Sequence, residues 1–105
     1  MDILEKIATA KRKEVALKLE MIPVEALELL TYFERKCISL SNRLEKSETG
    51  IIAEFKRKSP SVFNINLKAD IEKIPFEYEK AGAAGISILT DEEFFGGSND
   101  DLFIA

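Results

Sequence analysis

The strongest constraint on the fold of this chain is a nearly continuous apolar strand, predicted over Gly85–Thr90. Its isoleucine and leucine residues leave it no extended polar face, and such strands are usually buried on both faces, as in parallel sheets covered by helices. A parallel pair needs a crossover, most often a helix. The chain offers one from about Pro75 to Ala81, stopped by Gly82, with Ile74, Tyr78 and Ala81 predicted as its packing face.

The other strand of this unit is predicted in Ile51–Ser61, after the turn residue Gly50. Because strand side chains alternate, the segment divides into two faces: Ile52, Glu54, Lys56 and Lys58 on one, and Ile51, Ala53, Phe55 and Arg57 on the other. Glu54 and Lys56 therefore lie side by side, where each influences the charge of its neighbour and both can meet a bound anion. The pair is either part of an acid–base site or a surface ion pair of little energetic weight.

Three helices are predicted before this unit. The first runs from Asp2, a cap, to about residue 19; the second runs from Pro23 to about Arg35; and a short third helix follows Ser39 or Ser41. Their apolar stripes need a surface to cover, which is most often the sheet of the same chain, although a partner-binding helical hairpin has the same pattern.

Composition excludes several classes of function. The chain of 105 residues has a net charge of −4 and no histidine, so we expect no nucleic-acid partner and no catalytic pair that requires histidine. Cys37 is the single cysteine, and we expect it to be partly buried and unreactive. No apolar run has the length of a membrane span and the start lacks the plan of a signal peptide, so we expect a cytoplasmic protein without a membrane partner.

A glycine-rich turn precedes the last predicted helix. Gly96 and Gly97 are followed by Ser98, a predicted N-cap, and by Asp100 and Asp101 in the first turn. The two carboxylates complement the helix dipole and would repel an anion, so we interpret this segment as a capped helix and not as a phosphate cradle. We find no nucleotide-binding loop and no metal-ligand cluster, and we expect no cofactor.

Two separated runs resemble indole-3-glycerol phosphate synthases, a family of (β/α)8-barrel enzymes of tryptophan biosynthesis. They are Ala53–Ser61, read AEFKRKSPS, and Tyr78–Asp91, read YEKAGAAGISILTD, the latter followed by Phe94-Phe95-Gly96-Gly97-Ser98. The resemblance implies a lyase that closes an indole ring on a carboxyphenylamino-deoxyribulose phosphate and releases carbon dioxide and water. It therefore implies a sugar-phosphate substrate that carries an anthranilate ring.

The resemblance also implies roles for five residues. Glu54 and Lys56 match the catalytic carboxylate and lysine of the first strand, Ser59 matches a substrate-contacting serine with Ser61 as a further candidate, and Phe95 matches an aromatic residue of the anthranilate pocket. The chain departs from the family pattern at two places. Val62-Phe63 stands where Lys-Gly is common, and Glu93 stands where many members have lysine.

The predicted fold class is α/β: a helical extension at residues 1–48, then the first two βα units of a TIM barrel at residues 49–105, with the barrel incomplete. We expect a piece of a longer synthase that is inactive alone and that, because its strand edges are unpaired, self-associates or is marginally folded. Two alternatives stay open at this point. They are a self-contained helical and βαβ interaction module, and another phosphate-binding barrel enzyme.

Overall fold

The computed structural model describes residues 2–105, which divide after Ile38 into two compact units. In the first unit, helix α1 spans Ile3–Met21. The carboxylate of Asp2 accepts a hydrogen bond from the Glu5 amide at 2.8 Å, which confirms the predicted cap. No helix within residues 2–105 is both long enough and apolar enough to cross a membrane.

The second predicted helix is much shorter than expected. Helix α2 spans only Val24–Leu27, and the prediction that it reaches Arg35 is wrong. The chain continues in turns in which some amides donate to the carbonyl three residues back, as the Leu30 amide does to the Leu27 carbonyl at 3.1 Å. Leu29 is 86% exposed and Tyr32 is 74% exposed, so no packed face supports another helical turn, and short helices are marginal without one.

The free cysteine also differs from expectation. Cys37 is exposed, not partly buried. It lies in the irregular segment between the helices of the two units, where the side chains from Thr31 to Leu40 are all exposed.

The second unit contains the predicted βαβ arrangement. Helix α3 spans Leu40–Lys46, capped by Ser39; strand β1 spans Ile52–Phe55; helix α4 spans Ile74–Lys80; and strand β2 spans Gly85–Ile88. The two strands are parallel, with Ile52 opposite Gly85 and Phe55 opposite Ile88. Two further backbone bonds extend the pairing at its ends, from Ala84 to Ile51 at 2.8 Å and from Leu89 to Phe55 at 3.1 Å.

The buried core of this unit is small. Phe55 is 2% exposed, and Ala69 and Ala84 are each 8% exposed. Every residue of β2 is half-buried, so the burial predicted for both faces of this strand is not reached. In α4, Ile74 and Tyr78 are half-buried as predicted, but Ala81 caps the helix and is exposed while Pro75 is buried in its place.

Two short helices follow β2. Helix α5, which was not predicted, spans Glu92–Phe95, and Asp91 caps it by accepting from the Phe94 amide. Gly96 ends α5 in the left-handed conformation, with φ of 69°. Helix α6 spans Asn99–Ile104 and begins with the predicted cap Ser98, in a capping box completed by Asp101.

The turn between α5 and α6 requires glycine at position 97. A Cβ on Gly97 would lie 1.8 Å from the Leu89 carbonyl oxygen, and a backbone atom at the end of a strand cannot move aside cheaply. We expect Gly97→Ala to lower the free energy of unfolding by about 3 kcal/mol or more, measured by urea denaturation. Gly50→Ala is the control, because its Cβ meets no atom within 4 Å and only the left-handed backbone costs about 1–2 kcal/mol. Equal losses in the two variants would contradict the steric argument.

Candidate functional site

The candidate site lies where β1 and β2 end. In a parallel pair the carboxyl ends of both strands share one edge, and this is the edge at which α/β enzymes build their sites. Here the two ends are joined directly, because the amides of Arg57 and Lys58 both donate to the Phe95 carbonyl, at 3.3 Å and 3.4 Å. The segments that follow the two strands therefore meet in one place.

Glu54 and Lys56 form the predicted pair. The Lys56 ammonium lies 3.4 Å from one Glu54 carboxylate oxygen, and the hydroxyl of Ser87, opposite Glu54 on β2, donates to the other oxygen at 3.3 Å. The Lys56 and Glu54 side chains are 36% and 47% exposed, so both remain open to a ligand. A carboxylate and an ammonium in contact can exchange a proton with a bound molecule or neutralise an anion.

Ser59 and Ser61 lie together in a tight turn just beyond this pair. The Ser59 amide donates to the Val62 carbonyl at 2.8 Å, and the Ser59 hydroxyl accepts from the Val62 amide at 3.0 Å. The two serine hydroxyls are 3.3 Å apart. Ser59 thus shapes the turn with one lone pair of its hydroxyl, and because the residue is only half-buried, the hydroxyl stays open to further contacts.

Phe95 is connected to β1 through its main chain. It is half-buried at the end of α5, and its carbonyl accepts the two amides described above. The structure therefore brings the aromatic residue to the same strand edge as the Glu54–Lys56 pair. The bonds that hold it there belong to backbone groups and leave the ring available for packing.

The loop after β1 carries exposed apolar side chains where the sequence departs from the family pattern. Val62 is 51% exposed and Phe63 is 71% exposed. The Lys58 ammonium lies 5.2 Å from the centre of the Phe63 ring, within cation–π range. This contact links the loop back to Lys58, two residues after Lys56.

Arg57 is the structural centre of the edge. Its guanidinium donates to the Ala69 carbonyl at 3.3 Å, to the Gly96 carbonyl at 3.1 Å, and with two nitrogens to the Asp101 carboxylate. It also lies 4.9 Å from the centre of the Phe55 ring. The alternation predicted from the sequence is thus confirmed, because Arg57 extends on the buried face of Phe55 while Glu54 and Lys56 extend on the other.

Asp101 was not predicted as part of this edge. The sequence indicated Asp101 only as a carboxylate in the first turn of α6. The one signal for its role was the alternation along β1, which places the charge of Arg57 on the face of Phe55, where it needs an anion as its partner. The Asp101 side chain is 8% exposed. Hydrogen bonds from Arg57 lower the pKa of Asp101, burial opposes this effect, and the same bonds raise the pKa of Arg57.

Metal ligands do not cluster in the described part of the chain. Within residues 2–105, no three histidine, cysteine, aspartate or glutamate side chains lie close enough together to hold a metal ion.

Comparisons with known proteins place this geometry in context. Residues 4–105 match the family profile described as indole-3-glycerol phosphate synthase. A protein named indole-3-glycerol phosphate synthase from Bacteroides thetaiotaomicron is 46% identical over 101 residues, a match that covers 96% of this chain and 39% of the relative. A protein of the same name from Bacillus cereus is 45% identical, over 95% of this chain and 36% of the relative. The chain thus spans well under half the length of these curated relatives.

The buried ion pair predicts a specific acid sensitivity. Because the pKa of Asp101 is lowered in the folded chain, its stabilising effect is complete above the unfolded pKa, about 3.9, and is lost as the pH falls through the folded value. We expect stability to decrease below about pH 4 in the parent chain and to change less with pH in Asp101→Asn. Urea midpoints between about pH 2 and 7 measure this effect.

Asp100→Asn is the matched control for this experiment. Asp100 is the exposed neighbour of Asp101 in the first turn of α6, and its replacement should leave the acid dependence of the parent. If the two variants flatten the pH profile equally, the pair with Arg57 does not cause the acid sensitivity.

Proposed function

The chain belongs to the indole-3-glycerol phosphate synthase family, and we propose that it supplies the first part of a barrel that performs this synthase reaction. The observation that carries the proposal is the Glu54–Lys56 pair, with its atoms 3.4 Å apart, at the carboxyl end of β1 inside the matched residues 4–105. The interaction-module alternative does not account for an open acid–base pair at this edge. The alternative of another phosphate-binding barrel enzyme is not favoured by the relatives, which share one name.

The proposed architecture is the start of a (β/α)8 barrel at residues 49–105, preceded by a helical extension at residues 1–48. The parallel pair, the crossover helix α4 and the half-burial of β2 support it. A groove of about 410 Å³ lies between α4, β2 and α6, lined by apolar residues such as Phe76, Ile86 and Leu102 together with Glu72 and Glu79. Its apolar part is a suitable surface for further elements of such a fold. A third parallel strand would complete the burial of β2.

The proposed substrate is a carboxyphenylamino-deoxyribulose phosphate. Its ring closure requires a proton for the ribulose carbonyl as the ring carbon attacks, then loss of carbon dioxide and of water. Lys56 supplies a proton or a positive charge, and Glu54 holds the ammonium and accepts protons. Ser59 and Ser61 contact the substrate, and Phe95 packs on its anthranilate ring.

We further propose that the chain by itself is inactive, and that the complete synthase acts in the cytoplasm without a cofactor. In the complete barrel, later strands and loops would provide the remaining acid and base and the contacts to the phosphate. The pair at β1 is exposed on one side, so substrate bound to it alone would stay in contact with water, in which charge interactions are weak.

A chimera tests the proposed reaction. Residues 4–105 replace the matching segment of the Bacteroides thetaiotaomicron relative, and indole formation from the carboxyphenylamino substrate is followed by fluorescence. We expect turnover by the chimera and a decrease in kcat of about 10²–10⁴-fold in Lys56→Gln and in Glu54→Gln, the usual contribution of a positioned acid or base.

Lys80→Gln is the control for the chimera, since this lysine lies in the last turn of α4, away from the strand ends, and its replacement should leave kcat unchanged. A folded chimera without indole formation would contradict the proposed function. A folded chimera that binds a different sugar phosphate without forming indole would instead indicate another barrel enzyme.

We also propose that the 105-residue chain self-associates when isolated. In the part of the chain that the structure describes, each strand pairs along one edge only, and an open strand edge is a template for pairing with another chain. Sedimentation velocity should show species larger than the monomer that increase with concentration. A single monomer boundary together with a cooperative thermal transition would contradict this expectation.

A further inference from the structure

We infer that Arg57 and Asp101 are positioning residues that hold the candidate catalytic and aromatic residues in one fixed arrangement. Neither side chain reaches into the open face of the site, and both act through the segments that they join. The inference rests on the proposed function for the roles of Lys56 and Phe95. The contacts themselves are independent of that function.

The Arg57–Asp101 pair makes a two-point contact. Arg57 and Asp101 are 44 residues apart in the chain, and two guanidinium nitrogens reach the two carboxylate oxygens, the longer bond at 3.0 Å. The side chains are 17% and 8% exposed. A buried two-point contact fixes orientation as well as distance, which a single-point contact does not.

Asp101 has further partners at the start of α6. One Asp101 carboxylate oxygen also accepts the Ser98 amide at 3.2 Å, while the Ser98 hydroxyl accepts the Asp101 amide at 3.2 Å. Asp101 therefore sets the start of α6, and through it the turn of Gly96 and Gly97 that follows Phe95. The Gly96 carbonyl is bound by Arg57 as well.

Arg57 binds the segments that follow both strands. Its amide donates to the Phe95 carbonyl at 3.3 Å, and its own carbonyl accepts the Ile65 and Asn66 amides at 3.1 Å and 2.9 Å. The main chain of Arg57 thus binds both the segment after β2 and the loop after β1. Its side chain binds the same two segments a second time, the first at the Gly96 carbonyl and the second at the Ala69 carbonyl. Lys56 is its direct neighbour, so a shift of Arg57 displaces Lys56 relative to Phe95.

Lysine cannot replace arginine in this arrangement. The guanidinium uses all three of its nitrogens, which donate to the carbonyls of Ala69 and Gly96 and to both carboxylate oxygens of Asp101. An ammonium is a compact charge on a flexible stem and lacks this planar fork. Arg57→Lys therefore keeps the charge and loses the positioning.

Amide hydrogen exchange in the 105-residue chain tests the contacts directly. In Asp101→Asn we expect the Arg57 and Lys58 amides, which bind the Phe95 carbonyl, to exchange at least about tenfold faster than in the parent, as expected for local opening. The Ala84 amide, at the other end of the strand pair, should be accelerated much less, because it reports only the general loss of stability. Equal acceleration of all three amides, or no change at Arg57 and Lys58, would overturn the inference.

Ile74→Val is the control for general destabilisation, because Ile74 is half-buried in α4 and lies outside the loops at the strand ends. This variant should accelerate the Arg57, Lys58 and Ala84 amides together.

Kinetics of the chimera test the functional consequence. We expect Asp101→Asn and Arg57→Lys each to lower kcat per folded molecule by about 10²-fold, the loss typical of a displacement of about 1 Å, and the double variant to lose no more than either one. Ile74→Val should lower the unfolding midpoint and leave kcat unchanged. An unchanged kcat in Asp101→Asn would overturn the positioning role. An inactive chimera without these substitutions would contradict only the proposed function. In that case the exchange experiment still decides whether the pair holds the segments after β1 and β2 together.

Discussion

The ion pair between Arg57 and Asp101 is the contact on which the rest of the second unit depends. Breaking a buried pair by removing one partner leaves an uncompensated charge away from water, which typically costs about 3–5 kcal/mol. The unit buries few apolar side chains, Phe55, Ala69, Pro75 and Ala84 among them, so this is a large share of the expected net stability of a small domain. The pair also connects the two strand ends, so stability and site geometry have the same origin.

Alternation along β1 separates the candidate chemistry from its support. Glu54 and Lys56 extend on one face and stay partly exposed, at 47% and 36%, while Phe55 and Arg57 extend on the other and are covered. Side chains that must meet a ligand and side chains that must hold the loops thus come from one short segment. A shift of one residue in strand register would exchange the two sets.

The sheet is the least complete part of the described structure. Two strands of four residues each are less than a sheet usually needs for independent stability, and β2 is only half-buried although its sequence is typical of a strand covered on both faces. The groove beside β2, which is lined in part by apolar side chains, and the match to well under half the length of the relatives agree with an incomplete sheet. The incomplete burial of the apolar side chains of β2 supports the proposed barrel, in which further elements would cover this strand.

Local signals account for most of what the sequence predicted correctly. The caps at Asp2, Ser39 and Ser98 act within three residues of themselves, so the starts of α1, α3 and α6 could be inferred without any knowledge of the fold. The overestimate of α2 has the opposite cause. An apolar stripe favours a helix only when something packs on it, and the side chains after Leu27 have no such surface within the first unit.

The sequence by itself therefore determined the parallel βαβ plan, the capped helices and the side-by-side placement of Glu54 and Lys56, because each depends on periods or spacings of a few residues. Only the tertiary structure decided that Arg57 meets Asp101, that both strand-end segments join at the Phe95 carbonyl, and that β2 is covered only in part. These features depend on groups tens of residues apart, and pairing at that range is fixed by packing and charge burial, which no local pattern specifies.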